Sequence, residues 1–171
     1  IQVFPVEWAS KRPLLAGNWK EYATRDASRF PSLFPQNRHW NLAVTVGPQS
    51  GILDMEMDGQ SATDEYNLIN SIYGETKTVA YQSSRGVHRW FRWSPALGEL
   101  SRSCVLKYRG IELRLGLEGK GAYSVVPPSL HESQQCWYQW LPGCSPWETP
   151  IAEFPKHLET LFKVTAESRG S

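Results

Sequence analysis

GILDMEMDG, residues 51–59, sets apolar residues and acids in strict alternation: Leu53, Asp54, Met55, Glu56, Met57, Asp58. A period of two is that of a half-buried β-strand, which sends the apolar residues to one face and three carboxylates to the other. Same-face neighbours lie about 6.6 Å apart along a strand. At an effective dielectric of about 20, two such charges repel by about 2 kcal/mol. Asp is also a poor strand former. One acid on a solvent-facing strand position is ordinary. Three in succession call for a compensating charge, and a divalent cation turns the repulsion into a ligand set.

The surrounding sequence reads as short strands with few helices. NLAVTVG (41–47) is a β-branched strand, and Gly47, Ser50 and Gly51 turn it into the acidic one. QVFPVEW, TVAYQSS, HRWFRW, GIELRL, AYSVVPPS and QCWYQWLPG read as further strands. SKRPLLAGNWKEYAT is a Pro/Gly-punctuated basic loop, and Thr24 is expected to cap a short helix starting near Arg25. Residues 61–73 favour a helix capped by Ser61, with Asp64 and Glu65 near its positive end and an apolar face of Leu68, Ile69 and Ile72. A closing helix, PKHLETLFKV, and the start of a linker fill 150–171. The expected class is α+β, with residues 1–171 forming one domain.

Composition narrows the function classes. Charged residues are 20% and aromatics 12%, with eight Trp, which is a globular balance. A formal net charge of +1 means any anionic partner is held by a local patch. Cys104, Cys136 and Cys144 are odd in number and lack CxxC spacing, so neither a disulfide framework nor a zinc site is indicated. Reduced thiols in a cytoplasmic protein are expected. No apolar run reaches ~18 residues, so no membrane partner is expected. The chain opens in strand-like sequence, IQVFPV, as a piece of a longer protein would.

A metal site built on the acidic strand wants a carboxylate from a second strand, and GIELRLG offers Glu112, isolated between Ile111 and Leu113. Alone, such a Glu is more often exposed or salt-bridged. Arg114 shares its face, where it pairs with carboxylates or with a phosphate. SSRGVHRWFRW (83–93) places Ser84, Arg85 and Gly86 in a tight turn followed by His88, with Arg89 and Arg92 close by. Backbone N–H groups, Arg and His in one turn suit phosphate oxygens; a basic hairpin with a surface His is the plainer alternative. Trp90 and Trp93 cannot both face one side of a regular strand, so at least one is expected in the core. Trp137 and Trp140 suit either core packing or base stacking. Lys11, Arg12 and Lys20 suit either template phosphates or a solvated loop.

In this order, an acidic strand, an RGxH turn, GIELRLGLEGKGAYSVVPPSLH and WYQWLPG resemble the bifunctional DNA primase/polymerase N-terminal domain of the archaeo-eukaryotic primase superfamily. KRPLLAGNWKEYAT and the Pro-led helix in IAEFPKHLETLF agree, so the likeness spans nearly all of residues 3–163. The resemblance implies an RRM-like antiparallel sheet with a second small β-rich subdomain. It implies a nucleotidyltransferase using two Mg²⁺ or Mn²⁺ ions, nucleoside triphosphates, and a single-stranded or primed DNA template. A helicase or primer-binding region further along the full-length protein is implied too.

Residue by residue, the first motif of the family matches Glu56 and Asp58, with Asp54 and Glu56 as the alternative register. The second matches Gly86 and His88, whose counterpart contacts the nucleotide phosphates. The third matches Glu112. Catalysis and metal ligation thus fall to Glu56, Asp58 and Glu112. Nucleotide binding falls to Ser84, Arg85, Gly86, His88 and Arg114, and to Ser129 and His131 of the Pro-stiffened VVPPSLH loop. Nucleic-acid binding falls to Lys11, Arg12 and Arg89. Asp is more usual in the family where Glu56 and Glu112 stand. That departure supports a non-catalytic nucleic-acid-binding module as a rival, and a metal-dependent nuclease is a third reading.

Overall fold

The computed structural model of the chain describes residues 1–98, 104–117, 121–131 and 136–168. In chain order its elements are β1 (Val3–Glu7), α1 (Trp19–Tyr22), α2 (Phe30–Leu33), β2 (Trp40–Val46), β3 (Ile52–Asp58), α3 (Gln60–Tyr73), β4 (Ala80–Gln82) and β5 (Gly86–Arg92). There follow α4 (Pro95–Gly98), β6 (Val105–Tyr108), β7 (Ile111–Arg114), β8 (Ala122–Val126), β9 (Gln139–Trp140) and α5 (Lys156–Ser168). The class is α+β, as expected. The strands form a three-stranded sheet, β1-β2-β8, and a six-stranded sheet, β6-β7-β3-β5-β4-β9, with antiparallel neighbours throughout. Among the described residues no helix is long and apolar enough to cross a membrane.

The alternation in β3 decides how the layers stack. Leu53, Met55 and Met57 turn to one face of the six-stranded sheet and join Phe91, Ile111 and Leu113. Ala62, Tyr66 and Ile69 of α3 and Leu158 and Phe162 of α5 cover them. The opposite face meets the three-stranded sheet. Phe4, Val6, Val44, Val46 and Val125 pack there against Ile52, Tyr81 and Trp90. The acids of β3 therefore lie on a face that is covered by protein over part of its length. Asp54 is 0% exposed.

Several local expectations are corrected. α3 begins at Gln60 after Gly59, whose φ of +87° suits only glycine, and Ser61 does not cap it. Its buried face is Ala62, Tyr66 and Ile69, while Leu68 and Ile72 are exposed. Thr24 is buried and exchanges backbone hydrogen bonds with Val3; Asp26 caps the following 3₁₀ turn, Ala27–Arg29, through its side chain to the Ser28 N–H. β6 is an additional strand. Arg109 and Gly110 (φ +43° and +87°) turn it into β7, the backbone signature of a tight hairpin.

Gly86 opens β5 opposite Asp58. A Cβ there would lie 2.2 Å from the Met57 carbonyl oxygen and 2.9 Å from the Asp58 Cα, so only glycine lets β5 approach β3. Gly86→Ala is expected to lower stability by about 3 kcal/mol, read as a fall in the urea midpoint.

Candidate active site

One register row runs across the six-stranded sheet: Lys107 on β6, Glu112 on β7, Glu56 on β3, His88 on β5 and Tyr81 on β4. Cross-strand residues of one row share a face and touch. The row thus sets a cation beside an acid at one end, two acids side by side, and a second cation beyond them. The next row places Arg114 across from Asp54 and Asp54 across from Trp90. Glu56 and Glu112, distant in sequence, are direct neighbours.

His88 is clamped between carboxylates. Its Nδ1 lies 2.9 Å from Asp54 Oδ2 and its Nε2 3.3 Å from Glu56 Oε1, and its ring stacks on Tyr81 at 4.5 Å. Arg114 sits between the acids. It donates to Glu56 through Nη2 and to Glu112 Oε1 through Nε at 3.1 Å, and its Nη1 stands 4.0 Å from Asp54 Oδ2. The Ser124 hydroxyl donates to Asp54, and Lys107 holds the other oxygen of Glu112 at 2.8 Å. Asp54 Oδ1, Tyr81 Oη and Trp90 Nε1 are buried without a hydrogen-bond partner among the described residues.

These contacts fix the charge states. Burial pushes the His88 pKa down, but the charge of Asp54 and hydrogen bonds to Asp54 and Glu56 outweigh it and bring it to about 9. Burial pushes Glu56 up, yet the hydrogen bond and charge of His88, with Arg114, bring it to about 2. An imidazolium between two carboxylates is the resting state. The His88 contribution to stability is fully present below its unfolded value near 6.5 and is lost as pH rises through about 9. That of Glu56 is present above about 4.5 and is lost as pH falls through about 2. Urea unfolding free energy is expected to fall between pH 6.5 and 9, by up to about 1.4 kcal/mol per pH unit. His88→Gln should flatten that window.

The site opens into a cleft of about 240 Å³ between the two sheets. Glu56, Asp58, His88 and Arg114 line it from one side, Tyr123 and Val125 of β8 from the other, with buried Tyr138, half-buried Ser84 and His131, and exposed Lys11 and Arg85 completing the lining. Arg85 pairs with Asp58 at 2.9 Å, both exposed to solvent. Burial and then the Glu56 charge push the Tyr138 phenol up to about 12, so it stays neutral.

Other residues singled out from sequence stand elsewhere. Arg89 follows His88 and therefore points to the opposite face, stacked 5.1 Å over Tyr66 and paired with Glu75. Ser129 is buried; its hydroxyl accepts from the Leu42 N–H at 2.9 Å, fastening the PPS segment to β2. Arg12 projects into solvent 3.9 Å from Glu7.

Glu56, Asp58 and Glu112 supply hard oxygen donors from two adjacent strands, the chemistry a divalent cation requires. Arg114, Lys107 and Arg85 hold those oxygens as they stand. No group of three or more His, Cys, Asp or Glu among the described residues is arranged to hold a metal ion. The donors are of the right chemical kind, and protein cations engage them instead.

Sequence reasoning passed over Ser124, Tyr81, Lys107 and Tyr138, and held Asp54 only as the alternative register of the acidic pair. For Asp54 the signal was present, since it shares the i, i+2, i+4 face. Ser124, Tyr81, Lys107 and Tyr138 reach the cluster only through tertiary pairing.

A family model described as bifunctional DNA primase/polymerase, N-terminal, matches residues 1–157. Among curated proteins none matches the chain.

Proposed function

We propose that this chain, which belongs to the bifunctional DNA primase/polymerase N-terminal family, transfers nucleotides from nucleoside triphosphates to a primer or initiating nucleotide on a DNA template. The observation that carries the reading is the register that brings Glu56, Glu112 and His88 side by side, with Asp58 next along the face. Glu56, Asp58 and His88 line a cleft that Lys11 and Arg85 also line, and Glu112 stands next to that lining, beside Glu56 and Arg114.

Glu56, Asp58 and Glu112 would hold magnesium or manganese ions, which when bound neutralise the triphosphate and acidify the attacking 3′-hydroxyl. Lys11 and Arg85 bind the phosphate tail in the cleft as charge-assisted donors. Arg85, which pairs with Asp58 as the protein stands, would bind phosphate once parted from it. His88, held protonated by Asp54, keeps Glu56 ionised and its carboxylate fixed in direction, and presents positive charge to the phosphates. Tyr123, Val125 and Tyr138 narrow the cleft and exclude water from the reacting groups. Preorganised charge and positioning supply most of the acceleration in such sites.

The test is extension of an end-labelled primer on a DNA template with and without Mg²⁺ or Mn²⁺. Lengthening that a chelator abolishes is expected. A second reading, a nucleotide- or nucleic-acid-binding module with weak or no catalysis, is favoured by one observation: Arg114 already neutralises the acids. Template binding without lengthening would select it, and shortening of the primer would mark a nuclease.

A further inference from the structure

A cluster of rings lies outside the cleft. Trp8, just past the end of β1, contacts His39 at 5.0 Å between centroids and Trp137 at 5.6 Å. Trp8 is 38% and Trp137 47% exposed, and His39 is exposed as well. Single exposed aromatics need no explanation. Here the rings come from three separate segments, and Lys11, Arg12 and Arg38, close to Trp8 and His39 in sequence, are exposed too.

The cluster is tied down by buried hydrogen bonds. Asn41 is fully buried beneath it, and its amide donates to the Ser10 carbonyl at 3.2 Å and the Leu130 carbonyl at 2.9 Å. Its Oδ1 accepts from the Leu130 N–H at 3.0 Å. One side chain thus ties the Trp8 turn to Leu130, the antiparallel bridge partner of Trp137. The turn itself is strained: Ala9 has φ of +49°, a left-handed conformation that costs a non-glycine residue about 1 kcal/mol. Strain of this kind persists where surrounding contacts over-determine it, and it concentrates at binding sites.

The cluster also shares two chain segments with the cleft. Trp137 and Tyr138 alternate along one segment, so Trp137 faces out while Tyr138 lines the cleft. Lys11 belongs to the Trp8 turn and to the cleft lining. Flat aromatic faces beside basic side chains are the chemistry that grips unpaired bases and their phosphates without reading sequence.

We propose that Trp8, His39 and Trp137 form a stacking platform for single-stranded DNA, over which the unpaired template reaches the cleft. This rests on the nucleic-acid reading above and deepens it by naming the surface.

The test is fluorescence anisotropy of a labelled oligothymidylate with the intact chain and its variants. Trp8→Ala and Trp137→Ala are each expected to weaken binding by about 5- to 100-fold with little change in the urea midpoint. Trp137→Phe should retain most of the affinity. Arg12→Gln and Arg38→Gln should each lower the slope of log affinity against log salt by about 0.7. Unaltered affinity in both alanine variants, or no binding by the wild type, overturns the platform. So does a loss that tracks a fallen urea midpoint in the Phe variant as in the Ala variants. Primer extension on the same proteins keeps the two readings apart. A wild type that extends primers while its Trp variants bind normally refutes the platform alone. Trp-dependent binding without extension refutes the transferase alone.

Discussion

Asp58→Ala is expected to lower nucleotide incorporation by more than about 10²-fold while changing stability by less than about 1 kcal/mol. The two halves of this result have separate causes. The Asp58 side chain is 41% exposed and its partner Arg85 is 67% exposed, so their ion pair is screened by water and adds little to folding. Yet the carboxylate lies at the cleft beside Glu56, where phosphate-bearing ligands and their counter-cations would gather. Single-turnover extension and urea unfolding of the same preparation check both halves. Glu112→Ala should show a comparable loss of incorporation. It carries a larger stability cost, because it leaves Arg114 and Lys107 without their shared acceptor. Extension by both variants at the wild-type rate would remove these carboxylates from the chemistry.

Arg114→Met is expected to be the most destabilising change in the site, by about 3–5 kcal/mol near neutral pH. The substitution keeps much of the side-chain length and removes the charge. It leaves Glu56 and Glu112 adjacent, and Asp54 fully buried, with His88 as the main remaining counter-charge. Like charges in a poorly solvated setting repel strongly, and protonation relieves them. The deficit should therefore narrow as pH falls below about 4.5, where carboxylates begin to take up protons. Added Mn²⁺ should raise the urea midpoint of the variant more than that of the wild type, because the carboxylates no longer answer to the guanidinium. An equal effect of Mn²⁺ on both proteins would show that Arg114 does not compete with cations for these acids.

What was legible in the sequence follows from what strand periodicity can and cannot encode. Alternation placed Asp54, Glu56 and Asp58 on one face of β3, and it placed Glu112 with Arg114 on one face of β7. The same rule sends Arg89 away from His88, so that separation was readable too. Periodicity says nothing about what covers a polar face. Asp54 read as a spare acid because only the three-stranded sheet, arriving through Ser124 of β8, buries it. Ser129 read as a cleft residue because its anchor, Leu42, is far off in sequence. The face of α3 was misplaced because Ala62 and Tyr66 outrank Leu68 and Ile72 in burial once β3 and β7 set its orientation. β6 was missed although Arg109 and Gly110 between two apolar runs carry a hairpin signal.

The most direct measurement is a crystal structure of the protein with a non-hydrolysable nucleoside triphosphate and Mn²⁺, the ion being located by its anomalous scattering. The account predicts ion density touching Glu56, Asp58 and Glu112, phosphates against Lys11 and Arg85, and Arg114 drawn away from the carboxylates it now clasps. An ion bound elsewhere, with Arg114 still seated between Glu56 and Glu112, would contradict it.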